Sequence, residues 1–127
     1  MIAGIGTDIV AVARLRRLYQ RHGARVVEKL LSTSELAEFA KTGDSGRFLA
    51  KRFAAKEAFG KALGIGVATP ATLPNIVVTH DDLGKPLFDY APPLAGYLAE
   101  RNITAHLSIS DEADYAVAFV VLEHGEK

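Results

Sequence analysis

Two carboxylates and a lysine of this chain stand where charge is costly. Asp8 lies between Thr7 and Ile9 in an otherwise apolar, β-branched segment, and Asp is disfavoured in strands. Glu57 is the one carboxylate of residues 47–66, RFLAKRFAAKEAFGKALGIG, where it sits among cations, alanines and phenylalanines. Lys61 follows Glu57 by one helical turn, so the two are neighbours on one helix face. A carboxylate in apolar surroundings is expensive unless something offsets it. Mg²⁺ would do so, because it is typically held by one or two carboxylates together with waters and substrate phosphates. A lysine beside such a site can hold a phosphate oxygen or take a proton from a nucleophile. These residues therefore point to a Mg²⁺-assisted reaction on a phosphate ester or anhydride. Plainer roles exist for each. Asp8 can cap the helix that follows, and Glu57 with Lys61 can be a solvated pair worth about 0.2–0.5 kcal/mol.

The elements that must position these groups can be read from periodicity. At roughly 100° per residue, Phe48, Ala55, Phe59, Ala62 and Leu63 fall on one side of a long helix over 47–66, which is its core stripe. Ala50, Ala54 and Ala58 flank the charged pair, and small side chains leave room for something bulky to approach. Arg52 and Lys56 border the phenylalanine stripe. Residues 2–10 read as a strand interrupted by Gly4 and Gly6, and glycines in strands often mark a close approach by another backbone or a ligand. A helix over 11–22 carries Arg14, Arg17 and Arg21 on one stripe, with no acidic residue between Asp8 and Glu28 to pair with them. A charge run is usually a solvated face, but an unpaired basic stripe also suits an acidic macromolecular partner.

A short helix is expected over 24–31. Ser32 and Glu35 form a capping box for another that runs to about Lys41. Asp44 or Ser45 caps the long helix, and Gly64 and Gly66 end it. Strands follow over 75–80 and 85–90, joined by the hairpin chemistry of Asp81-Asp82-Leu83-Gly84, with Pro86 marking an edge. A helix over 92–102 and strands over 103–109 and 115–122 complete the chain, the last strand looking buried on both faces. Asp111 reads as a turn residue. The tally predicts an α+β fold: an antiparallel β-sheet with a long central helix and shorter helices packed on it.

Composition narrows the classes. The 127 residues suit one domain, 1–127, and 49% hydrophobic residues can fill a core. Fifteen Lys+Arg balance fifteen Asp+Glu, which argues against general nucleic-acid binding. With no cysteine, disulfides, zinc-thiolate sites and cysteine nucleophiles are excluded. No apolar run approaches the roughly 18 residues of a membrane span, and the opening residues lack a signal-peptide pattern. The expectation is a cytoplasmic protein. Neither nucleotide fingerprint is present, since the G-K-[ST] step is missing and no G-x-G-x-x-G follows a strand.

Four motifs carry a resemblance. G-I-G-T-D-I-V at 4–10 and the whole of 47–66, supported by G-K-P at 84–86 and H-L-S-I-S-D at 106–111, resemble the small 4′-phosphopantetheinyl transferase family, the holo-[acyl-carrier-protein] synthases. The resemblance implies transfer of 4′-phosphopantetheine from coenzyme A to a serine of apo acyl carrier protein, as part of fatty-acid biosynthesis. It implies Asp8 and Glu57 as Mg²⁺ ligands and Lys61 on the phosphate side. Either Lys61 or Glu57, through a water, would be the base. Arg52, Lys85, Pro86 and His106 become candidates for coenzyme A contacts, and Gly64 and Gly66 would let the backbone approach the cofactor. Arg14, Arg17 and Arg21 become a docking stripe for the acidic carrier. A homotrimer with sites between subunits is also implied. The chain departs from family patterns at Val10, where larger relatives carry another carboxylate, and at Asp111, where some members have histidine. A non-catalytic coenzyme A or nucleotide-binding module and a Mg²⁺-dependent phosphate hydrolase are the competing readings.

Overall fold

The computed structural model describes residues 1–125; residues 126 and 127 of the expected domain lie outside the described residues. In order come β1 (Ile2–Ala11), α1 (Val12–His22), α2 (Ala24–Leu30), α3 (Thr33–Phe39) and α4 (Ser45–Leu63). A 3-10 turn (Leu73–Asn75), β2 (Ile76–His80), β3 (Pro86–Tyr90), α5 (Pro92–Glu100), β4 (Ile103–Asp111) and β5 (Tyr115–His124) follow. The expected α+β architecture is present, with one difference. The strands form two antiparallel sheets, β1-β5-β4 and β2-β3, rather than one.

The contact between β1 and α4 organises the rest. A Cβ built on Gly4 would lie 1.9 Å from the Ala62 carbonyl oxygen, and one on Gly6 would lie 2.1 Å from that of Ala58. Only glycine lets strand and helix backbones meet so closely. Ala50, Ala54, Ala55, Ala58 and Phe59 of α4 are fully buried, and Ala116, Ala118 and Val120 of β5 close the core from the sheet side. Asp44 caps α4 by accepting the Arg47 N–H. Gly64, at φ +86°, ends it a little earlier than expected by turning its N–H back to the Gly60 carbonyl. The capping box is also present: Ser32 Oγ accepts the Glu35 N–H, and Glu35 accepts the Ser32 N–H.

Two expectations need correction. The last strand is buried on one face only. Ala116, Ala118, Val120 and Leu122 point at α4 and are buried, whereas Tyr115 is 51% and Phe119 45% exposed. The reason is that α4 covers only the inner face of the sheet. Asp111 is the final residue of β4 rather than a turn residue. It pairs in register with Ala116 and is held there by Arg47 and Lys51 at 2.9 and 3.7 Å.

Candidate active site

Side chains of β1 alternate across the sheet. Gly4, Gly6, Asp8 and Val10 face α4, while Ile5, Thr7 and Ile9 face away. Because the two glycines bring β1 down onto α4, Asp8 arrives beside the helix turn that carries Glu57 and Lys61. Lys61 Nζ donates to Asp8 Oδ1 at 3.1 Å and to the Thr7 carbonyl at 3.0 Å. Lys61 thus reaches across to β1 rather than back along its own helix. The Glu57 carboxyl is pushed above its ordinary 4.5, first by burial and then by the negative charge of Asp8, with Lys61 and Arg14 acting against them. Two carboxylates this close, one of them made costlier by the charge of the other, with an ammonium drawn to them, are a donor set suited to a hard cation. Among the described residues no group of three His, Cys, Asp or Glu side chains gathers into a metal cluster. Val10, at the position of the missing third carboxylate, is a buried core residue. A cation here would therefore take two protein carboxylates and fill its shell from water and substrate.

The basic stripe borders this site. Arg14, Arg17 and Arg21 are exposed on α1 and form no ion pair with any described residue. With Leu18 they line a hollow of about 220 Å³. Arg14 also lies over the Phe53 ring of α4, 5.5 Å from its centroid, and is the member of the stripe whose charge acts on Glu57.

The other expected residues lie elsewhere. Lys85 is exposed at the end of the hairpin loop, where its N–H and that of Leu83 donate to Asp81 Oδ1. Pro86 opens β3 opposite His80. His106 stands opposite Val121, on the sheet face turned away from α4, and contacts Glu123 at 3.1 Å. Gly64 and Gly66, both at positive φ, wrap the C-terminus of α4, and the Gly66 N–H returns to the Gly60 carbonyl at 3.0 Å. One chain therefore does not bring His106 to the side of the sheet that holds Asp8 and Glu57.

Arg52 has a different set of partners from the phosphates expected for it. It is 4% exposed. Its guanidinium donates to Glu35 at 3.1 Å, to the Val78 carbonyl at 3.0 Å and to Glu38 at 2.9 Å, and it lies 4.4 Å from the Phe48 ring centroid. One of its sides lines a basic cleft of about 210 Å³ shared with Arg47, Lys51 and His80. Burial, and next the charge of Arg52, holds His80 below its ordinary 6.5.

Beneath that cleft lies a network that sequence reasoning missed. Glu35 and Lys56 are fully buried. Lys56 Nζ donates to Glu35 Oε1 at 2.6 Å, to the Leu30 carbonyl at 2.7 Å and to the Leu73 carbonyl at 2.9 Å, which uses all three ammonium protons. Glu35 Oε2 accepts the Arg52 guanidinium and the Val78 N–H. Burial pulls the Lys56 ammonium down to about 8 against the pull of Glu35. Burial pushes the Glu35 carboxyl up, but the Lys56 charge and the hydrogen bonds it accepts outweigh this and hold it below 4.5. The available signal was the spacing: Arg52 and Lys56, four apart beside a phenylalanine stripe, are two cations that cannot be buried without a carboxylate.

Comparison with known proteins identifies the family. Residues 4–120 match the model of the 4′-phosphopantetheinyl transferase superfamily. The chain is 68% identical over 124 residues to the holo-[acyl-carrier-protein] synthase of Dechloromonas aromatica strain RCB, covering 98% of this chain and 99% of that protein. The crystal structure of the Neisseria meningitidis holo-[acyl-carrier-protein] synthase superposes with a TM-score of 0.94 at 48% identity, covering 97% of this chain and 99% of that one. The Helicobacter pylori enzyme, solved in complex with coenzyme A, gives 0.81 at 30% identity, covering 94% and 99%. With a family match over nearly all of its length and relatives this near, the chain belongs to the 4′-phosphopantetheinyl transferase superfamily, among its holo-[acyl-carrier-protein] synthases.

Proposed function

We propose that this chain moves 4′-phosphopantetheine from coenzyme A to a serine hydroxyl of an apo acyl carrier protein, in a Mg²⁺-dependent reaction. The observation that carries the proposal is the meeting of Asp8, Glu57 and Lys61 where β1 presses on α4. The relatives bear the name of that activity, and structures of several contain coenzyme A. Asp8 and Glu57 would hold the metal, which when bound supplies charge neutralisation on the pyrophosphate. The serine oxygen forms a bond to the β-phosphorus, the pyrophosphate P–O bond breaks, and adenosine 3′,5′-bisphosphate leaves. Glu57, whose carboxyl burial and Asp8 hold above its ordinary 4.5, takes the serine proton through a water. Lys61, a hydrogen-bond donor here, holds a phosphate oxygen.

Arg14, Arg17 and Arg21 receive the carrier's acidic helix. Support comes from their exposure and from the closeness of Arg14 to Glu57, which sets a docked serine near the carboxylates. The apolar outer face of β1 and β5, with Ile5 60%, Ile9 63% and Phe119 45% exposed, is a surface that needs covering. A homotrimer covers it and brings His106, on that same face, to a neighbour's site, with Lys85 and Pro86 as further coenzyme A contacts. Gly64 and Gly66 offer backbone to the cofactor. No helix among the described residues is long and apolar enough to cross a membrane; a cytoplasmic role in fatty-acid biosynthesis fits this reading.

The test is the intact mass of an apo acyl carrier protein after incubation with this protein, coenzyme A and Mg²⁺, with an EDTA control. A gain of one phosphopantetheine that EDTA prevents is the expected result. Release of pantetheine phosphate without carrier modification would show a hydrolase instead, and coenzyme A binding with neither outcome would show a binding module.

A further inference from the structure

We propose that the Lys61 ammonium is the resting counter-ion of the Asp8–Glu57 pair, occupying the oxygen that a divalent cation takes, so that metal binding and release of Lys61 from β1 are one event. The inference rests on the metal reading above and adds to it an order: cation first, then phosphate. Its basis is where Lys61 goes. Glu57 is the nearest carboxylate along its helix, and a pair at that spacing ordinarily closes on itself. Lys61 instead donates to Asp8 Oδ1 and the Thr7 carbonyl. Ordering a long, half-exposed lysine side chain across to another strand costs rotamer freedom, and the clustered negative charge of Asp8 and Glu57 offsets that cost.

The charged groups facing this spot are Asp8 from β1, Glu57 and Lys61 from α4, and Arg14 from α1. Lys61 is the only one of the two cations that bonds directly to Asp8 among the described residues. A hard divalent cation binds carboxylate oxygen through the same lone pairs, and an ammonium on that oxygen repels it at short range. Lys61 must therefore leave Asp8 as the metal arrives. The contrast with Lys56 shows that release is feasible. Lys56 has three acceptors and no exposure, whereas Lys61 has two acceptors and a side chain 54% exposed. Once released, Lys61 keeps its place one turn from Glu57 with all three protons available to a phosphate.

The experiment is a Mn²⁺ titration of the full chain without coenzyme A, following free Mn²⁺ by electron paramagnetic resonance. Wild type, Lys61→Met, Lys61→Gln and Asp8→Asn are compared, with thermal melts to confirm folding. The Lys61 variants are expected to bind Mn²⁺ about tenfold more tightly than wild type, since a competing charge has gone, and Asp8→Asn is expected to lose binding. Equal or weaker Mn²⁺ binding by both Lys61 variants, with Asp8→Asn still deficient, would overturn the role of Lys61 and leave the metal site standing. Absence of Mn²⁺ binding by every variant, or binding untouched by Asp8→Asn, would overturn the metal site and this inference together.

Discussion

Lys56 and Glu57 are adjacent in sequence, yet α4 turns them into two different worlds. Lys56 points toward α3, the end of α2 and the 3-10 turn, where each of its three protons has an acceptor and it is fully buried. Glu57 points toward β1 and Arg14, into a cluster that is partly open and in which the charge of Asp8 adds to the cost of the Glu57 carboxylate. The residue types are the same: carboxylates and lysines, with an arginine beside each group. The difference is closure. A saturated charge network has no valence left for a ligand and can only hold the fold together. An unsaturated one is a standing demand for a cation, a phosphate or a proton. Buried ion pairs are weak evidence for stability in themselves, but breaking one by removing a single partner is severe.

The comparison breaks if the two clusters fail to separate activity from stability. Glu57→Gln should show the largest effect. Transfer should fall by about a thousandfold or more, the scale of losing several kcal/mol of charge stabilisation, measured by carrier mass gain at saturating Mg²⁺. Its urea midpoint should stay level or rise slightly. The sign follows from the raised Glu57 carboxyl: a group whose folded value lies above its unfolded one contributes stability only at acid pH and loses it as the pH rises. At neutral pH the charge is therefore a small burden that Gln removes. Unchanged transfer would take Glu57 out of the site.

Lys56→Met should invert that pattern. Removing one partner leaves Glu35 buried with Arg52 alone, at a cost of about 3–5 kcal/mol in urea unfolding. Whatever protein remains folded should retain its KM for coenzyme A. A stable Lys56→Met protein with lost activity would merge the two clusters into one functional unit.

Glu35 also gives the closed network a signature in pH. Its carboxyl is held below 4.5, so its contribution is complete above the unfolded value and is lost as the pH falls through the lower, folded one. Wild-type stability, followed by urea unfolding from neutral pH down to about 3, should drop below roughly 4.5. A Glu35→Gln protein, less stable at neutrality, should show a flatter acid limb. A parallel acid limb in both proteins would assign the acid sensitivity elsewhere.

These two clusters were unequally legible in the sequence. The open one could be read because its members break local rules: an aspartate in a strand and a lone carboxylate in a cationic helix. Periodicity also placed each on its element, and Gly4 and Gly6 announced the close approach that unites them. The closed network hid because its members obey the rules. Glu35 satisfies a capping box, and Arg52 and Lys56 resemble the edge of an amphipathic stripe. Only the packing of α3 against α4 and β2 shows that the carboxylate's remaining lone pairs meet both cations. The last strand misled for a similar reason. Alternating Ala and Val look buried on both sides, but which face is covered depends on where α4 packs. Asp111 looked like a turn because its partners, Arg47 and Lys51, lie far away in sequence on α4.

The smallest expected effect sharpens where the open cluster ends. Arg14, Arg17 and Arg21 share one exposed stripe, but only Arg14 touches Phe53 and acts on Glu57. Arg21→Glu should therefore behave as a docking variant alone. Single exposed ion pairs are worth about 0.2–1 kcal/mol, so reversing one should raise KM for the carrier by about two- to tenfold and leave KM for coenzyme A unchanged. The effect should fade towards 1 M salt, where the screening length falls to about 3 Å. Arg14→Glu should raise the carrier KM further and also lower kcat, because it sets a third negative charge beside Asp8 and Glu57. If Arg21→Glu moved both KM values equally, the stripe would belong to the cofactor rather than to the carrier. If Arg14→Glu left kcat untouched, the open cluster would stop at α4, and Arg14 would be one more member of the docking face.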